Sequence, residues 1–78
     1  MEKSLLTILE AERAAVNDYI FAKEYEAEYK AKAETAEDAI EKEVMLEFVA
    51  EYTERREKAE ARITEARKEI KKYLNHIM

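Results

Sequence analysis

The chain has 78 residues, 42% of them charged, and a formal net charge of -5 at neutral pH. It contains no cysteine, glycine or proline, which removes disulfides, thiolate metal sites, tight hairpin turns and glycine-rich phosphate loops. What remains is 47% apolar and rich in Ala, Glu and Lys, the composition of long helices or coiled coil in one small domain.

The chain opens Met-Glu-Lys-Ser-Leu-Leu-Thr, without the apolar run of a signal peptide. The longest unbroken apolar stretch, Tyr19-Ile20-Phe21-Ala22, is far too short to cross a bilayer. The expectation is a soluble, cytoplasmic protein with no membrane partner.

The first predicted element is a helix over about residues 4–33. Its apolar stripe is Leu5, Ile8, Leu9, Ala15, Val16, Tyr19, Ala22 and Tyr29, with Glu12 and Glu26 as polar intruders. A turn is placed at about 34–35, with Thr35 as N-cap of the next helix and acidic residues following in its first turn. The second predicted helix covers about 36–77. From Val49 its seam alternates by three and four through Tyr52, Arg56, Ala59, Ile63, Ala66, Ile70, Tyr73 and Ile77, with Arg56 as its one polar member. Extended backwards, that register meets Lys42, Asp38, Thr35, Glu28 and Glu24. Two incompatible registers argue against one continuous helix. The sequence therefore predicts an all-α fold, a long antiparallel helical hairpin spanning residues 1–78, in preference to a straight parallel coiled coil or a three-helix bundle.

Folding the chain about residue 34 pairs positions whose numbers add to 68. Leu5 then faces Ile63, Val16 faces Tyr52 and Tyr19 faces Val49, while Glu12 meets Arg56 and Glu26 meets Lys42. Glu12 and Arg56 become the expected register pair, because a charge pair in the seam penalises a slipped alignment. This register also leaves residues 65–78 as an overhang of about 20 Å. Its apolar members Ala66, Ile70, Tyr73, Leu74 and Ile77 form the expected association interface, covered by a second copy in a four-helix bundle or elongated coiled coil. Leu6, Phe21 and Leu46 fall off the main stripes and are expected on an outer-face interface.

Catalytic chemistry has little to work with. The only histidine, His76, sits in the last helical turn, where the dipole favours it, and Tyr73 takes the place a Glu-x-x-His metal motif needs. Ser4 is the only serine and has no base at helical spacing. The chain is expected not to be an enzyme and to need no cofactor or metal.

Charge divides unevenly, with a net -8 over residues 1–52 and +3 over residues 53–78. Arg67, Lys68, Lys71 and Lys72 form a basic cluster that could touch nucleic acid, RNA above all. The acidic residues around the turn could instead imitate nucleic acid and block a basic groove. The leading expectation is a non-enzymatic protein–protein interaction module: a homodimeric adaptor, assembly factor or small inhibitor that acts by occupying a surface.

Overall fold

The computed structural model describes residues 4–77, with the Ile77 side chain excluded. Two helices, α1 (Leu5–Thr35) and α2 (Ala39–Ile77), lie antiparallel and pack along their length. The rod measures 59 × 17 × 15 Å, and its length is that of a straight 39-residue helix at about 1.5 Å per residue.

Local chemistry explains where each helix starts and stops. Ser4 caps α1: its hydroxyl accepts from the Thr7 N–H at 3.2 Å, and its carbonyl accepts from the Ile8 N–H at 3.1 Å. At the other end the Thr35 hydroxyl bonds back to the carbonyls of Ala31 and Lys32, both at 3.3 Å. Thr35 thus closes α1 and does not open α2, because its side chain is engaged by its own helix. The N-terminal cap of α2 is Asp38, whose carboxylate accepts from the Ile40 N–H at 3.0 Å and whose carbonyl accepts from the Lys42 N–H at 3.0 Å. Between them Ala36 leaves the helix in an extended conformation, φ -66° and ψ 129°. Among the described residues none has positive φ, which is how the chain reverses without glycine.

Moving the turn from 34–35 to 36–38 changes the register by much more than the turn itself moves. The cross-helix ion pairs are Glu12–Arg67, Asp18–Arg62 and Glu26–Arg56, with residue numbers adding to 79, 80 and 82 in place of 68. The expected pairs Glu12–Arg56 and Glu26–Lys42 are therefore not formed. Arg56 reaches Glu26 and Glu60, and Glu12 reaches Arg67. The expected overhang shortens with them, its cover reaching Ile70, while residues 71–76 are exposed. Ala66 is buried between the helices and Ile70 is half-buried there.

Each helix contributes most of the face its spacing specified, the exceptions being Leu9 on α1 and Tyr73 on α2, which are exposed. On α1 the covered positions are Leu5, Ile8, Glu12, Ala15, Val16, Tyr19, Ala22, Tyr25, Glu26, Tyr29 and Ala33; on α2 they are Met45, Val49, Tyr52, Thr53, Arg56, Ala59, Ile63, Ala66, Glu69 and Ile70. Among the described residues only Ile8, Ala15, Ala22, Ala33, Ala59 and Ala66 are buried, and no large side chain is sealed off completely. Alanine at the closest positions lets the backbones approach, but two helices alone cannot surround a leucine or a tyrosine.

Candidate functional site

At mid-length the seam is polar. The Thr53 hydroxyl donates to Glu26, and Arg56 Nε donates to both oxygens of the same carboxylate at 3.1 and 3.3 Å. Arg56 also holds Glu60 at 2.8 Å, one turn along α2. The Glu26 side chain is only 14% exposed. The Thr53 hydrogen bond, followed by Arg56, holds its carboxyl below the ordinary glutamate range against the opposing effect of burial. The Arg56 guanidinium is raised in turn, chiefly by Glu26 and then by Glu60. Every strong donor in this cluster has an acceptor, so it sets alignment and leaves no reactive group.

Beside that network the aromatics of the two helices cluster. Tyr52 packs against both Tyr25 and Tyr29, with centroids at 5.2 and 5.7 Å and ring planes within 19° and 12° of parallel, and those two rings are 6.2 Å apart. Tyr29 continues onto Phe48 at 4.9 Å, and Phe21 leans on Tyr25 at 4.5 Å. Cations cover the outer faces: Arg55 lies 5.2 Å from the Tyr52 centroid and Lys32 lies 5.2 Å from that of Tyr29. The expected alignment placed Tyr52 against Val16 and missed this ladder. The available signal was the concentration of aromatics at 19–29 and 48–52, since one register brings most of them together.

Two flanks border the seam, each with a shallow groove. One groove is lined by Asp18, Phe21, Ala22, Arg55, Lys58, Ala59 and Arg62, and its cations are already engaged, Arg55 by Glu51, Lys58 by Glu54 and Arg62 by Asp18. The other is lined by Val16, Tyr19, Ile20, Glu60, Ile63, Thr64 and Arg67. Helical spacing continues this second flank towards the open end of the hairpin through Leu9 and Leu6 on α1 and Leu74 on α2. Leu6 is 66% exposed, Ile20 48% and Leu74 49%. Phe21, Ile40, Val44, Leu46 and Phe48 are exposed elsewhere along the rod.

The residues singled out from sequence thus separate. Leu6, Phe21 and Leu46 are all exposed, but Phe21 lies on the flank opposite Leu6. Tyr73 and Leu74 are exposed at the open end, and the Ile77 side chain lies outside the described residues. Arg67 is occupied by Glu12 at 3.3 Å, while Lys68, Lys71 and Lys72 are exposed. Among the described residues no cluster of three or more His, Cys, Asp or Glu could hold a metal ion, and no helix is long and apolar enough to cross a membrane. Comparison with known protein families, curated proteins and solved structures finds no match to this chain.

Proposed function

We propose that this chain is a non-enzymatic protein–protein interaction module, cytoplasmic in setting, that works as a homodimer in which two hairpins form a four-helix bundle. The observation that carries this reading is the excess of exposed surface, with large apolar side chains standing on it. A compact monomer of 9.2 kDa exposes about 4,900 Å², whereas this rod exposes 6307 Å². The surplus of about 1,400 Å² includes Leu6, Leu9, Ile20, Leu46 and Leu74. A standard interface covers about 800 Å² per partner, so a second hairpin would take up more than half of the surplus. As an adaptor, assembly factor or small inhibitor, the dimer would act through the surface left outside that contact.

Light scattering on a dilution series from high to low micromolar tests the reading. A mass of twice the chain that persists on dilution is the expected result. A helical, cooperatively melting monomer throughout the series would overturn it. The nucleic-acid alternative draws on exposed Lys68, Lys71 and Lys72. It requires a labelled RNA to shift with steep salt dependence and to be lost on reversal of Lys71 and Lys72.

A further inference from the structure

We propose that the second copy docks on the Leu6–Ile20 flank, antiparallel, with the molecular two-fold passing beside Arg13. This rests on the homodimer reading and adds its face, direction and centre. On α1 the flank reads Leu6, Leu9, Arg13, Val16 and Ile20, at steps of three and four, so all five share one stripe. The stripe is close to a palindrome. Leu6 lies seven residues before Arg13 and Ile20 seven after; Leu9 lies four before and Val16 three after. A two-fold at Arg13 therefore sets Leu6 against Ile20 and Leu9 against Val16 of the second copy, twice over. That is the self-complementarity an isologous contact requires.

Shape agrees with this pattern. The groove on this flank has Val16, Ile20 and Ile63 among its lining. The exposed leucines Leu6 and Leu74 lie at the open end of the same flank, about 21 Å along the axis from Ile20 at 1.5 Å per residue. The two-fold brings each copy's leucines over the other's groove. A parallel dimer would set Arg13, Lys23 and Lys30 each on its own copy, whereas the two-fold self-pairs only the cations beside it, Arg13 and Arg67. The opposite flank has no such symmetry: of its large side chains Phe21 lies near mid-length, and Val44 and Phe48 lie in the turn half.

The chain has no cysteine, so single-cysteine cross-linking reads the two-fold directly. Arg13→Cys should form a disulfide-linked dimer under mild oxidation, while Ala14→Cys, one residue on and turned to the other flank, should remain at least roughly tenfold slower to cross-link. Leu6→Glu, at a position the hairpin itself leaves exposed, should give a helical monomer at concentrations where the parent is dimeric. A dimeric parent in which Ala14→Cys cross-links as fast as Arg13→Cys, or in which Leu6→Glu leaves the mass unchanged, overturns the assigned face and leaves the homodimer standing. A monomeric parent overturns both.

Discussion

The two halves of the hairpin are held by different materials. Near the turn, Tyr25, Tyr29, Phe48 and Tyr52 interleave into a ladder of rings, bounded by the Glu26–Thr53–Arg56 network. Towards the open end the contact is made by Ile8, Ala15, Ala59 and Ala66 with half-buried Ile63 and Ile70, and of its cross-helix ion pairs Asp18–Arg62 is exposed on both sides and Glu12–Arg67 on the arginine side. Aromatic stacking and a shared carboxylate have one good alignment, whereas an alanine–isoleucine contact tolerates sliding. The turn half therefore sets the register. The open half, thin and apolar on its outside, is left with surface for a partner.

The sharpest way to break this contrast is to remove the centre of the ladder. Tyr52→Ala should cost about 2–4 kcal/mol, since it deletes a large side chain and its stacking on two neighbours. Chemical denaturation measures it, and a change below about 0.5 kcal/mol would show that the rings do not hold the turn half. A smaller contrast separates the two kinds of ion pair. Arg56→Ala leaves the mostly covered Glu26 with Thr53 alone and should lower the melting midpoint by several degrees. Arg62→Ala, which removes a contact exposed on both sides, should leave it nearly unchanged. Equal shifts would place the seam network on the same footing as a surface pair.

The smallest expected effect is a pH dependence localised at Glu26. Its carboxyl is held below the ordinary value by the folded state. The stabilisation it contributes is thus fully present above the unfolded glutamate value and is lost as pH falls through the lower folded one. Thermal melts of the parent should lose stability over that acidic interval, and Glu26→Gln should flatten this part of the profile. A parent and variant with parallel profiles would remove Glu26 as the cause.

Much of the architecture could be read from the residues in order. Helix, hairpin and the two seam faces follow from spacings of three and four, because a side chain's direction on a helix depends only on its local position. The polar intruders Glu26 and Arg56 were visible as misfits, and they do meet, but Arg56 had been matched to Glu12. Thr35 drew the turn forward because a threonine before acidic residues resembles an N-cap; only the folded chain shows its hydroxyl returning to Ala31 and Lys32 while Asp38 takes the role. The two flanks were partly legible in Leu6, Phe21 and Leu46, but their separation onto opposite sides depended on which faces the seam consumed.

By itself the sequence determined that the chain is helical, that it reverses once near its middle, and which stripe of each helix turns inward. Tertiary structure decided how far one stripe slides along the other. The expected and observed alignments differ by about eleven residues, which is close to three full turns. A slide of that length returns every side chain to nearly the same face, so periodicity cannot tell the two apart. Cross-helix contacts can, because Tyr52 packs against both Tyr25 and Tyr29 and Arg56 reaches Glu26 in one of them.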